Sequence, residues 1–361
     1  MTSKRRVAVL FGGRSAEHEV SLLSASNVVK AIDTSKYEIV PIGITRSGQW
    51  LLVELENGGL PKAVPTTGSE VSLLPGGKGR LLVIPASGAP HELPPVDIVF
   101  PVLHGLYGED GSVQGLAEVA DVAYVGCGIL GSAAAMDKDI AKRLLKEAGL
   151  PVARGVTIQF GETASFDGIA RDLGTPVFIK PARQGSSVGV GKAATAEAFD
   201  AAVKEAFKHD RKLIVEEFVQ AREIEFGVLE HGDGSLTVSV PGEIAPAASH
   251  GFYTYEAKYI DADGAALSIP ANLPDAVTGQ LQDMAGRAFR ALGCEGMARV
   301  DFFVRPDMSM VVNEVNTIPG FTNISMYPKA LGATGIAYPE LVERLIQHAL
   351  DRAERQTSSL I

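Results

Sequence analysis

The run "VAVLF" at 7–11 is unbroken apolar sequence rich in strand formers, which predicts a parallel strand covered on both faces. Gly12 and Gly13 follow it. The second half of "GGRSAEHEVSLLSASNVVKAI" then repeats apolar positions at helical spacing, and "YEIVPIGI" (37–44) is the next apolar run. Strand, glycine turn, helix and strand make a βαβ unit. Residues 48–95 are rich in Gly and Pro with two short apolar runs, "GQWLLVEL" and "GRLLVI". They read as an inserted hairpin region, to which no chemistry is assigned. "VDIVFPVLHG" (96–105) returns to the parallel sheet, and "YVGC" (124–127) reads as its last strand.

A second module opens at "DKDIAKRLLKEAGLPVARGVTI", where Asp137 predicts a helix cap, Gly149 a stop and Pro151 a following break. Next come "PVFIKPA", a glycine-rich loop "KPARQGSSVGVGK" (180–192), a helix "TAEAFDAAVKEAFK" and a strand "KLIVEEFV" (212–219). This predicts a small α+β module of two strands joined by that loop. The third module starts with "EIEFGVLE" (223–230) and continues through a long irregular stretch, 243–270. A loop of that length is uncommon unless it is functional or disordered. An amphipathic helix (274–293), a hairpin "ARVDFFVRPDMSMVVNEVN" and a last helix "AYPELVERLIQHALDRAER" complete the chain.

At 361 residues, with 46% hydrophobic and 21% charged residues, the chain supports two or three modules of roughly 100–200 residues with full cores. A formal charge of −10 argues against a general nucleic-acid binder, but not against a local basic pocket for a small anion. Cys127 and Cys294 lack CxxC spacing and read as reduced core residues of a cytoplasmic protein. The apolar run at the N-terminus stops at Gly-Gly, too short for a secretory signal, and no stretch approaches the roughly 18 apolar residues of a membrane span.

Candidate chemistry concentrates in a few places. Residues i and i+2 of a strand share a face, so Arg299, Asp301 and Phe303 point one way, as do Glu314 and Asn316. A turn at "RPDMS" makes the two strands antiparallel neighbours. Two carboxylates and an amide oxygen then converge near an arginine, a donor set for a hard ion, Mg²⁺ or Mn²⁺. The bland alternative is a surface hairpin of solvated charges. Lys138, early in a helix, and Lys180, at a strand end, are individually ordinary; with the acidic hairpin they suggest a polyanion held between ammonium groups and metal. Phe218 offers a flat apolar contact and Glu223 a diol acceptor, or the pair is simply a strand end. Glu17 is either a helix-dipole carboxylate or a partner for a substrate ammonium, and His104 either structural or in contact with ligand. The loop 180–192 has five residues between Gly185 and Gly191 and Ala193 after Lys192, so it is not a P-loop.

The strings "FGGRSAEHEVS", "LHGLYGEDGSVQG", "MDKDIAK", "IKPARQGSSVGV", "EEFVQAREIE", "FYTYEAKY", "ARVDFF" and "NEVNTIPGFT", in this order, resemble the D-alanine–D-alanine ligase family of ATP-grasp enzymes. The resemblance runs from residue 11 to about 326. It implies a three-domain ATP-grasp fold of α/β and α+β type: an N-terminal Rossmann-like parallel sheet (1–130), a small central α+β domain (131–219) and a C-terminal α+β domain with an antiparallel sheet (220–361), whose loop 243–270 is a lid. It implies that ATP phosphorylates one D-alanine carboxylate and that a second D-alanine amine attacks the acylphosphate. By the resemblance Glu17 meets the first ammonium, with Ser186 and Tyr259 completing a hydrogen-bonded triad. Lys138, Lys180 and Ser187 hold phosphate. Glu216, Phe218, Val219 and Glu223 contact adenosine, with Phe303 and Asn313 beside the nucleotide. Asp301, Glu314 and Asn316 bind two Mg²⁺ or Mn²⁺ ions. Arg299 and the Gly320 N–H form the oxyanion site. Lys258 lies at the γ-phosphate, Ser325 and Met326 at the second carboxylate, and His104 beside the first substrate. In this reading Gly185–Gly189 is a flap over the phosphates and Lys192 a bystander. The family is usually dimeric, so a cytoplasmic homodimer is expected, with no nucleic-acid or membrane partner. A D-alanine–D-lactate or D-alanine–D-serine ligase is the alternative, which the Tyr259 hydroxyl disfavours. A catalytically dead nucleotide sensor would lack metal ligands that are present here.

Overall fold

In the computed structural model the described residues are 4–246 and 265–359. Three sheets follow one another along the chain. The first has eight strands: β1 (Arg5–Gly12), β2 (Tyr37–Ile44), β3 (Trp50–Leu52), β4 (Glu70–Leu73), β5 (Leu81–Ile84), β6 (His91–Leu93), β7 (Ile98–Pro101) and β8 (Ala123–Tyr124), in the order β6-β5-β4-β3-β2-β1-β7-β8. Helix α1 (His18–Ala31) joins β1 to β2, and α2 (Ser112–Val119) joins β7 to β8. Strands β2, β1, β7 and β8 are parallel. Val7 through Phe11 are almost wholly buried, as an apolar run between two neighbours and two covered faces requires. The inserted residues do form hairpins, and these extend the parallel sheet as antiparallel strands β3–β6. The run read as "YVGC" is a strand only over Ala123–Tyr124.

Helices α3 (Ile129–Met136) and α4 (Lys138–Glu147) lead to the second sheet. Asp137 caps α4, its Oδ1 accepting from the Ile140 N–H at 3.2 Å, and Gly149 turns the chain with φ +72°. This sheet has four strands rather than two: β9 (Gly155–Gln159), β10 (Val177–Pro181), β11 (Gly191–Ala193) and β12 (Lys212–Glu217), antiparallel in the order β11-β10-β12-β9, with α5 (Phe166–Leu173) and α6 (Ala196–Ala206). The glycine-rich loop links β10 to its edge neighbour β11.

The third sheet contains β13 (Arg222–Glu230), β14 (Leu236–Val238), β15 (Gly242–Pro246), β16 (Ala265–Ser268), β17 (Met297–Val304) and β18 (Met310–Asn316), with α7 (Asp275–Ala291), α8 (Met326–Ala333) and α9 (Tyr338–Ser359). Its order is β16-β15-β13-β17-β18, and β14 pairs with β13. The stretch expected to be irregular, 243–270, begins and ends in the paired strands β15 and β16; residues 247–264 lie outside the described residues. One apolar cluster unites Val7, Val9 and Phe100 of the first sheet with Leu341, Leu345 and Ile346 of α9.

Candidate functional site

The acidic hairpin is the floor of the site. Along β17, Ala298, Val300, Phe302 and Val304 enter the core under α7, so Arg299, Asp301 and Phe303 face the other way. The register sets Asp301 opposite Glu314 and Arg299 opposite Asn316. A bulge then breaks the ladder between Asp301 and Phe302, and Asn313 is the unpaired extra residue. On the other side of β17, Glu225 of β13 pairs with Asp301, so Glu225, Asp301 and Glu314 form one row across three strands. The Arg299 guanidinium donates to Asp301 through Nε and Nη2, at 2.8 and 2.6 Å, and Nε also lies 3.0 Å from Glu225 Oε2 as an ion pair. Asn316 Nδ2 donates to Asp301 Oδ2 at 3.1 Å.

Lysines form the opposite wall. Glu216 bridges two ammonium groups, Lys142 at 2.6 Å and Lys180 at 2.7 Å. Burial alone would raise the Glu216 carboxyl, but these two cations outweigh it and bring it down to about 2. Burial also opposes charge on Lys180, yet Glu216 and the more distant Glu314 and Glu223 hold its ammonium above the ordinary lysine range. For Lys138 burial wins over the attraction of Glu314 and lowers its pKa. Its Nζ donates to the Gln184 carbonyl at 2.6 Å. Both Glu216 oxygens thus face lysines. Beside it, Phe218 is 44% exposed and stacks on Phe178 with ring centroids 6.0 Å apart, while Val219 is half-buried. Lys192, read as a bystander, sits 4.8 Å from the Phe218 centroid. Glu223 and Phe303 are register partners on β13 and β17.

The glycine-rich loop reaches the first sheet. Ser186 and Ser187 take positive φ (48° and 60°), and the Val188 and Val190 N–H groups bond back to Gly185 and Ser187. Ser186 Oγ thereby donates to Glu17 Oε1 at 2.5 Å, across 169 positions of sequence. A Cβ at Gly185 would lie 3.0 Å from Glu17 Oε2, so any side chain there would press on that carboxylate. Nearby, His104 Nδ1 lies 3.0 Å from the Ile318 carbonyl, and burial holds its imidazole below the usual value despite Glu17. Glu109 accepts from the Gly105 and Ile318 N–H groups at 2.8 and 3.1 Å. Burial first, and Glu17 second, raise its carboxyl to about 8 over the pull of those donors.

After β18 the chain turns through Gly320, where a Cβ would sit 2.7 Å from Ser325 Oγ. Ser325 is the N-cap of α8 and bonds Thr322 through both the backbone N–H and the hydroxyl. The Met326 side chain is buried with Ile244 and Ala330, which leaves its backbone as its polar face. Lys258 and Tyr259 lie outside the described residues.

Sequence reasoning missed Lys142, Glu225 and Glu109. Lys142 stands one helical turn beyond Lys138, Glu225 two residues beyond Glu223 on a strand, and Glu109 inside "HGLYGEDG", so each carried a spacing signal. Donor chemistry fits a hard divalent ion at Asp301, Glu314 and Asn316: all three offer oxygen from adjacent strands, and Glu314 acts electrostatically on both Lys138 and Lys180.

A family model described as D-ala D-ala ligase N-terminus matches residues 6–127, and one described as D-ala D-ala ligase C-terminus matches 144–347. The chain is 62% identical to D-alanine--D-alanine ligase A of Mesorhizobium japonicum over 355 residues, covering 98% of this chain and 99% of that protein. Among solved structures, the D-alanine-D-alanine ligase of Coxiella burnetii superposes with a TM-score of 0.86 at 35% identity, covering 99% of this chain and 97% of that one. The VanG D-Ala:D-Ser ligase of Enterococcus faecalis gives 0.83 at 39% identity, with 96% and 100% covered.

Proposed function

The chain belongs to the D-alanine–D-alanine ligase family and catalyses the ATP-dependent, ADP-forming joining of two D-alanine molecules for peptidoglycan synthesis; from that premise we propose how its own residues divide the work. ATP lies between the lysine wall and the acidic row, with Lys138 and Lys180 on its phosphates and Ser187 in the flap. Phe218, Val219, Phe303, Asn313 and Glu223 surround the nucleoside, and Glu216 acts through Lys180, which it orients. Divalent cations, Mg²⁺ or Mn²⁺, at Asp301, Glu314 and Asn316 supply charge neutralisation, which lets a carboxylate approach the anionic γ-phosphate. Glu17 receives the ammonium of the first D-alanine, its carboxylate oriented by Ser186 and, within the lid, by Tyr259. His104 stands beside that substrate. Arg299 and the Gly320 N–H stabilise the oxyanion formed when the second amine attacks the acylphosphate. The free N–H groups at the start of α8, next to Ser325 and Met326, receive the second carboxylate. Lys258 and Tyr259 close over the γ-phosphate and exclude water, which would hydrolyse the acylphosphate.

The same reading assigns residues 1–130, 131–219 and 220–361 to three domains, and the enzyme to the cytoplasm as a homodimer. Among the described residues no helix is long and apolar enough to cross a membrane. The similarity to a D-Ala:D-Ser ligase keeps D-serine as the competing second substrate. ADP release with D-alanine alone against D-alanine plus D-serine or D-lactate separates the cases.

One observation supports the site most: opposed strands bring Asp301 and Glu314 together, and Glu314 acts electrostatically on the partly buried ammonium groups of Lys138 and Lys180. Glu314→Gln removes one anionic metal ligand and should abolish turnover in a coupled ADP-release assay while the circular dichroism spectrum stays unchanged. Near-normal turnover refutes the assignment.

A further inference from the structure

Resting on the metal reading above, we propose that Glu225 is a positioning residue, which keeps Arg299 in place when Asp301 turns to the divalent cation. Asp301 has two claimants. Both of its oxygens engage the Arg299 guanidinium, at 2.8 and 2.6 Å, and Oδ2 also accepts from Asn316. A hard cation needs at least one of those oxygens, at a distance that excludes a guanidinium from the same lone pair. Asp301 therefore loosens its hold on Arg299 when the ion arrives.

Glu225 is the second anchor. It is 6% exposed, and its Oε2 lies 3.0 Å from Arg299 Nε. Arg299 need not travel to reach it. The placement is set by the ladder, because Glu225 pairs directly with Asp301 across β13 and β17, while Arg299 pairs with Gly227. The row Glu225, Asp301, Glu314 invites a different reading, with Glu225 as a further metal ligand. Among the described residues, however, no three His, Cys, Asp or Glu side chains converge on an ion position. The cation beside Glu225 is the guanidinium. Nε carries a single hydrogen, which Asp301 Oδ1 takes here, so Glu225 Oε2, an ion-pair neighbour of that nitrogen at 3.0 Å, is placed to accept it when Asp301 turns away. The oxyanion group thus remains charged and aimed whether or not metal is bound.

Mn²⁺ binding in the presence of ADP, without D-alanine, read by electron paramagnetic resonance of the free ion, tests this without turnover. Glu225→Gln leaves Arg299 competing harder for Asp301, so Mn²⁺ affinity should fall about tenfold, the lower end of the loss usual for a partner that orients a metal ligand. In an Arg299→Met background the same substitution should have no effect, since the competitor is gone. Equal weakening in both backgrounds would mean only a through-space charge, and unchanged affinity in the wild-type background would mean no role; either overturns the proposal. Glu225→Asp keeps the charge but withdraws the oxygen by one methylene. It should show a smaller loss that also vanishes with Arg299→Met, and it carries the test if the Gln variant does not fold. Asp301→Asn binding Mn²⁺ like the wild type would instead overturn the metal reading, and this proposal with it.

Discussion

Lys142→Met isolates one arm of the bridge under Glu216. Glu216 and Lys142 expose 3% and 7% of their side chains, so both charges are desolvated, and each depends on the other. The Glu216 carboxyl falls from 4.5 to about 2 in the folded protein, where two ammonium groups overcome the opposing effect of burial. At about 1.4 kcal/mol per pH unit, that preference for the charged form is worth roughly 3 kcal/mol, and since Lys180 still pairs with Glu216 at 2.7 Å this is the upper bound on what removing Lys142 costs. Methionine keeps the length of the lysine stem, so packing changes little. If the chain unfolds as one unit, the loss lowers Tm by at most about 4 °C. A folded pKa below the unfolded one contributes stability that is complete above pH 4.5 and lost as pH falls through about 2. Removing Lys142 raises the folded value, so the gap between the proteins should be constant near neutrality and close in acid. Guanidinium unfolding midpoints at neutral pH and at about pH 3 read this directly. A gap of the same size at both pH values would refute the reasoning, because the loss would then come from packing.

Gly320→Ala places a Cβ 2.7 Å from Ser325 Oγ and displaces the backbone N–H assigned to the oxyanion. Turnover should fall about 100-fold, as for loss of an oxyanion donor, with modest change in Tm; activity within a factor of two would exclude that N–H. Glu109 ionises near 8 when folded against 4.5 in the ordinary range, so its stabilisation is full below pH 4.5 and lost as pH rises through about 8. Glu109→Gln should flatten the decline of the urea midpoint between about pH 5 and pH 9, and parallel profiles for the two proteins would refute it.

The acidic hairpin was legible because strand alternation has a period of two residues, which alone puts Arg299 and Asp301 beside Glu314 and Asn316. The bulge at Asn313 was not, although the adjacent polar pair Asn313 and Glu314 interrupts the alternation of β18. The second sheet was half legible. β10 and β12 are apolar runs, but β11 is the three residues Gly-Lys-Ala on an edge and has no pattern to read. Lys142 stands one helical turn from Lys138, but only Glu216, 74 positions later in the chain, explains its burial. The Lys192 ammonium over Phe218 is likewise a tertiary fact. Met326 shows the reverse case, where a motif position belongs at the site by its backbone while its side chain packs against Gly242.

Helix α9 completes the apolar cluster that β1 begins, so Val7 and Val9 share a core with Leu345 and Ile346. During synthesis the first strand emerges with its partners still unmade, and roughly 200 residues must follow the parallel sheet before the covering helix is available. Loss of the last helix should therefore yield an aggregating chain rather than a shorter enzyme. Such closure of the two ends of the chain upon each other also ties folding speed to distant contacts, with high contact order as its kinetic signature.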